Sequence, residues 1–181
     1  MQIRDRVSGD VPILVRLLGQ QQPVSRYPYL WPLPYPAEDF IVRPDELLAW
    51  TATIDDQPVG HLSLRTVQES SVGFGVDELA QAWSQAHQRP ASELAVLSAF
   101  FVARSARGAG VGRQLHDAAV RWAEDHDYAL CLDTVVPGSR ALQLYHAAGW
   151  RTVAPFRPWF LPADAPDGVA MIYPCSPASQ G

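Results

Sequence analysis

Residues able to do chemistry gather in two short stretches of this 181-residue chain. The first, Arg107-Gly108-Ala109-Gly110-Val111-Gly112, puts three glycines in five residues just ahead of a helix-like run, GRQLHDAAVRWAEDH. Glycine at that density lets the backbone turn tightly, or lets a ligand approach with no Cβ in its way. A helix that opens on such a turn offers unpaired N–H groups and the positive end of its dipole, a setting that suits phosphate. The second stretch, ALQLYHAAGWR, carries Tyr145, a phenol able to share or give a proton. Between them lies Asp133, and Glu93 precedes the first stretch. A carboxylate in an apolar strand region has a raised pKa suited to base chemistry.

Three kinds of phosphate site can be weighed against the glycine loop. A triphosphate loop ends in Gly-Lys-Ser/Thr, but all fourteen positive residues are arginine, which excludes it and any other lysine-dependent mechanism. The dinucleotide fingerprint GxGxxG is one residue too long for Gly108, Gly110 and Gly112. It also needs an acidic residue about 20 positions on, and Asp133 lies in roughly that region, so this reading stays open. Against it, more than half the chain precedes the loop, whereas such a fold normally opens with it. The third pattern, Arg/Gln-x-x-Gly-x-Gly after a strand, is met by Arg107, Gly110 and Gly112.

The elements that must carry these residues follow from hydrophobic period and turn signals. Residues 2–6 read as a short strand, and Asp10 as the N-cap of a helix with Pro12 in its first turn. In RYPYLWPLPYPAEDF prolines alternate with Tyr27, Tyr29, Trp31 and Tyr35, which forbids a regular helix and predicts an extended, ordered loop. LLAWTATIDDQPVGHLSLRTV predicts a hairpin turning at Asp55-Asp56-Gln57-Pro58. VDELAQAWSQAHQ has Leu79, Ala82, Trp83 and Ala86 on one helical face. LAVLSAFFVA reads as a doubly covered central strand. After the loop, Val111, Leu115, Ala118, Ala119 and Trp122 form an apolar helical stripe. YALCLDTVV is a second buried strand, SRALQLYHAAG a short helix ending at Gly149, and WRTVAPFRPWF and GVAMIYP are closing strands. The sum is one α+β domain over residues 1–181 with a mixed sheet.

Composition narrows the function classes. Hydrophobic residues make up 48% and charged ones 18%, a globular balance. A net charge of −5 without a basic block argues against nucleic acid as a partner. Cys131 and Cys175 have neither zinc nor redox spacing, and no metal is expected. Without an apolar leader or a membrane-length run, a soluble cytoplasmic protein with no membrane partner is the expectation.

FFVARSARGAGVGRQLHDAAVRWA resembles the acetyl-CoA-binding segment of the GCN5-related N-acetyltransferases, the GNAT superfamily. ALQLYHAAGWR resembles that superfamily's second hallmark, a small residue, Leu-Tyr, then Gly and an aromatic. The two stand about thirty residues apart with a strand between them, as in the superfamily. The resemblance implies a mixed, mostly antiparallel sheet flanked by helices, with a splayed central strand pair. It implies acyl transfer from acetyl-CoA, as co-substrate, to a small-molecule or peptide amine. The loop 107–113 (Arg107, Gly108, Ala109, Gly110, Val111, Gly112 and Arg113) would then hold the pyrophosphate, with Arg104 adding charge. Main-chain groups of Phe100, Phe101 and Val102 would pair with the pantetheine arm, and one amide would face the thioester oxygen. Tyr145 would be the general acid for the departing thiolate, and Glu93 or Asp133 the base that deprotonates the amine. His61, His116 and His146 are further base candidates, the last two sitting among polar residues as solvated side chains do. Many members carry Asn where this chain has Gly138, so that cofactor contact is absent or taken by Ser139 or Arg140.

Tyr27, Tyr29 and Trp31 fall where a substrate-covering loop would lie, able to frame an amine or simply to staple the loop to the core. Trp159 and Phe160 have the same two readings, and the resemblance makes a homodimer an open possibility.

Overall fold

The alternation in LLAWTATI and HLSLRT becomes a hairpin in the computed structural model, which describes residues 1–67, 76–134, 140–158 and 160–174 (backbone only at 76, 77 and 140). Its strands are β2 (Glu46–Ile54) and β3 (Gln57–Thr66). Ile54 pairs with Gln57, so the loop is only Asp55-Asp56, and Gln57 and Pro58 of the expected turn already belong to β3. Both aspartates have positive φ, 49° and 61°, as a two-residue hairpin with right-handed strand twist requires.

The remaining elements are β1 (Gln2–Asp5), α1 (Val11–Ser25), α2 (Glu38–Ile41), α3 (Val76–His87), β4 (Leu94–Val102), α4 (Val111–Asp125), β5 (Ala129–Thr134), α5 (Arg140–Ala147), β6 (Arg151–Phe156) and β7 (Gly168–Ile172). They form an α+β fold, a seven-stranded sheet of order β1-β2-β3-β4-β5-β7-β6 flanked by helices. Pairing is antiparallel for β1–β2, β2–β3, β5–β7 and β6–β7, and parallel for β4–β5. The parallel register covers Leu94–Val96 against Ala129–Cys131, three of the nine residues of β4.

Contacts group the chain into two compact units, Met1–Arg65 with Leu97–Trp122, and Thr66–Val96 with Ala123–Gly181. In the first, Leu14 and Leu18 of α1, Phe40 and Ile41 of α2, and Ala99 and Phe101 of β4 form an apolar core. α1 continues through Pro23 to Ser25, beyond the apolar run that announces it, and closes on left-handed Arg26. Asp10 stands at the N-cap position, but its side chain makes no cap bond. It accepts instead from both Arg4 guanidinium nitrogens (2.7 and 2.8 Å), Thr51 Oγ1 (2.9 Å) and the Val7 amide (3.0 Å). The charged Arg4 outcompetes a neutral helix amide for the carboxylate. It also leads the effects that hold the Asp10 carboxyl down at about 2.

In the second unit, Leu79 and Trp83 of α3 pack on Leu94, Val96, Ala129, Cys131, Phe156, Ala170 and Ile172. Gly168 of β7 leaves no room for a side chain between β6 and β5. A Cβ there would lie 2.6 Å from the Phe156 ring and 2.7 Å from the Thr134 carbonyl oxygen.

Candidate active site

β4 ends at Val102, a single 3-10 turn follows at Arg104–Ala106, and the glycine loop then leads into α4. Gly108 and Gly110 have φ of +85° and +80°, outside the range that other residues hold comfortably. A Cβ built on either would meet nothing within 4 Å, so the space over this backbone is open. Gly112 differs: a Cβ there would lie at ordinary contact distance, 3.6 Å, from the Phe100 and Val102 side chains. Val111, Leu115 and Ala119 anchor α4 in the core, while Arg107, Gly108, Ala109 and Gly110 are exposed. The first turn of α4 bonds through Gln114 N to Gly110 O at 3.1 Å. The amides ahead of Gln114 have no acceptor within the helix and remain as donors. The loop is therefore an open, donor-lined backbone at the positive end of a 15-residue helix.

Arg107 does not stand free beside the loop. Its Nη2 donates to Gln21 Oε1 of α1 at 3.0 Å and its Nε to the Val102 carbonyl at 3.4 Å. That makes it a brace between α1 and the end of β4. Arg113 is exposed, 3.7 Å from Asp117, and Arg104 is exposed too. Leu17, Gln20 and Gln21 of α1, with Ala103, Arg104 and Ser105, line a cavity of about 580 Å³.

Phe101 is buried against His61, ring centroids 5.7 Å apart, and Val102 is half-buried. Tyr27 meets Phe40 edge-on at 5.7 Å, and Tyr29 is half-buried. Trp31 lies against α1, its ring 3.2 Å from where a Cβ on Gly19 would be, and stays 38% exposed. Tyr27 thus staples the aromatic loop to the core, and Trp31 keeps a face toward solvent.

In the second unit, Tyr145 is half-buried on α5 with its ring 5.7 Å from Trp150 at 64°. Trp150 is buried and packs in turn on Tyr173. Gly149 closes α5 at φ +94°, and the Trp150 amide returns to the Tyr145 carbonyl at 3.0 Å. The Leu-Tyr…Gly-aromatic pattern is thus one local device that orients Tyr145. Asp133 is half-buried on β5, opposite Ala170 of β7. Glu93 stands before β4 in an ion pair with Arg89 at 2.7 Å, its side chain 46% exposed. The loop follows the other end of β4.

The sequence pattern of the acetyltransferase (GNAT) family matches residues 14–150. The chain belongs to this family. Among solved GNAT structures, it is similar to the ribosomal-protein-alanine N-acetyltransferase of Brucella melitensis (TM-score 0.65, 17% identity, 95% of this chain and 98% of that one). It is also similar to a GCN5-related N-acetyltransferase of Kribbella flavida (0.65, 19%, 94% and 95%). A third is Arabidopsis thaliana NAA60 in complex with acetyl-CoA (0.65, 16%, 95% and 98%). A search of curated protein sequences finds no match.

Other expectations meet the GNAT fold unevenly. His146 is exposed, but His116 is buried, only 8% exposed, and burial lowers its pKa. The amphipathic stripe of α4 is wider than the apolar residues alone suggest, and His116 falls inside it. Gly138, Ser139 and Trp159 lie outside the described residues, as does the Arg140 side chain. Among the described residues no three His, Cys, Asp or Glu side chains cluster as metal ligands, and no helix is long and apolar enough to cross a membrane.

The structure adds a largely buried polar network that the sequence pattern does not reveal. Arg6 grips Glu46 with two bonds (2.8 and 2.7 Å), donates to the Ile41 carbonyl at 2.7 Å, and lies 3.4 Å from His61 Nε2. His61 Nδ1 bonds the Ala99 carbonyl at 2.8 Å. Burial pushes the His61 pKa down to about 4. The one sequence signal was the alternation in β3, which sets His61 and Ser63 on one face of a strand flanked by apolar residues.

Proposed function

We propose that the protein transfers an acetyl group from acetyl-CoA to an amine, with Tyr145 as the general acid. The open backbone at Gly108 and Gly110 ahead of α4 carries the reading, since a Cβ there would fill space that the protein itself leaves empty. The donors of residues 108–113 suit a pyrophosphate, and exposed Arg104 and Arg113 add positive charge. Arg107 contributes by bracing the loop rather than by meeting the phosphates. The resemblance to NAA60, whose structure holds acetyl-CoA, supports the same donor.

In the reaction the amine nitrogen attacks the thioester carbonyl and a main-chain amide of Phe100–Val102 donates to the developing oxyanion. As the C–S bond breaks, the Tyr145 phenol gives its proton to the thiolate, a poor leaving group as a bare anion. Glu93 or Asp133 takes the amine proton; Glu93 is ion-paired with Arg89 at 2.7 Å, and Asp133 is half-buried on β5. Tyr27, Tyr29 and Trp31 frame the acceptor, with Trp31 offering the exposed ring.

The test follows free thiol released from acetyl-CoA over a panel of small amines and peptide N-termini. Tyr145→Phe is expected to lower kcat about 100-fold while acetyl-CoA binding stays near wild type. Wild-type protein that is stabilised by acetyl-CoA yet releases no thiol with any amine of the panel would be a sensor of the same fold. Stabilisation by NAD and not by acetyl-CoA would remove the reading altogether.

A further inference from the structure

Two successive carbonyls of β4 are held by side chains of β3. Ser63 Oγ donates to the Ser98 carbonyl at 3.3 Å and His61 Nδ1 to the Ala99 carbonyl at 2.8 Å. In an undisturbed strand successive carbonyls point to opposite neighbours, so this arrangement needs a local break. Ala99 supplies it. Its φ is +44°, a left-handed value inside a strand for a residue with a Cβ, and the side chain is fully buried. The Ala103 amide, just past the end of β4, donates to the Val59 carbonyl of β3 at 2.7 Å.

The chemistry of the partners assigns the proton. A carbonyl only accepts, so Nδ1 carries the hydrogen. Nε2 is then an acceptor, facing the guanidinium of Arg6, which only donates. Arg6 is fixed by Glu46 and by the Ile41 carbonyl, and the Phe101 ring lies beside the imidazole. Both ring nitrogens are engaged.

We infer that His61 is a positioning residue for acyl transfer: its Nδ1–H holds the left-handed bulge at Ala99, and the bulge aims the main-chain amides of Phe100–Val102 at the acyl oxygen. The inference rests on the acetyl-CoA reading given above. A histidine that merely fills the core would affect stability and leave the chemical step alone.

The experiment compares wild type, H61L and H61N in the intact protein, measuring acetyl-CoA affinity by calorimetry and kcat by thiol release. Wild type that neither binds acetyl-CoA nor releases thiol would defeat the acetyl-CoA reading rather than the role of His61. With wild type active, H61L is expected to lose about 100-fold in kcat, the scale of a misplaced oxyanion donor, with acetyl-CoA affinity within about threefold. H61N, which keeps an N–H donor near the Nδ1 position, should recover most of that loss. Wild-type kcat in H61L overturns the proposal, as does H61N no better than H61L. Should H61L fail to fold, the imidazole ¹⁵N spectrum of wild type decides: the Nδ1–H tautomer is expected, and Nε2–H overturns it.

Discussion

The hairpin turn at Asp55-Asp56 and the loop at Gly108–Gly110 both use left-handed backbone, yet only one is built from glycine. At the hairpin φ is 49° and 61°, values that aspartate tolerates, and two exposed carboxylates occupy the turn. At the loop φ is +85° and +80°, and the volume where side chains would stand is empty. A turn that only reverses the chain can carry side chains. A turn whose backbone is to meet a ligand, as proposed for this loop, cannot, even where nothing in the protein itself obstructs them. Ala99 is a third case, a left-handed residue in the core, kept there by the bonds around it.

The sharpest way to break this contrast is Gly110→Val. A β-branched side chain at φ +80° is strained, by about 1–2 kcal/mol on the general scale of left-handed backbone. It also stands where the pyrophosphate is proposed to lie. Acetyl-CoA affinity should fall about 100-fold, equivalent to about 2.7 kcal/mol, as read by titration calorimetry. Unchanged affinity would mean that the loop is only a connector.

The third case makes a smaller, pH-dependent prediction. His61 has a folded pKa near 4, below the ordinary value of 6.5. The unfolded chain therefore takes up a proton first as pH falls. The stabilisation from keeping His61 neutral is complete above about 6.5 and drains away as pH drops toward 4. Replacing His61 by Asn removes this titration. Denaturant unfolding should show the stability difference between pH 7 and pH 4.5 shrinking by about 2 kcal/mol in H61N. An undiminished difference would mean that His61 does not titrate in this way.

What was legible in the sequence follows the same division. The glycine loop, the Leu-Tyr helix and every strand of the sheet announce themselves through local spacing, because period and turn chemistry act over a few residues. Gly149 declares the end of α5 in the same way. The polar network under α1 and α2 does not. Arg6 meets Glu46 forty residues on, and His61 meets Ala99 thirty-eight residues on. Nothing local in β4 marks Ala99 as left-handed, since its break depends on donors from β3. Asp10 illustrates competition between levels: a sound N-cap in sequence, it is drawn away by Arg4 and Thr51. Arg107 behaves likewise, placed by pattern beside phosphate and by geometry against Gln21.

The mildest test works on the hairpin side. Asp56 holds φ of 61° at the second loop position, where a type I′ turn favours glycine and Asp-Gly is a preferred pair. Asp56→Gly should relieve that backbone while adding some freedom to the unfolded chain. The two effects oppose each other, and the conformational relief is the larger, because glycine carries no Cβ penalty in this region. A net gain of about 0.5 kcal/mol is expected, a rise of roughly 1–2 °C in Tm by calorimetry for a chain of this size. Acetyl-CoA affinity should not move. A variant that weakens acetyl-CoA binding as Gly110→Val does would tie the hairpin to the ligand, and the distinction between a turn that reverses the chain and a turn reserved for a ligand would fail.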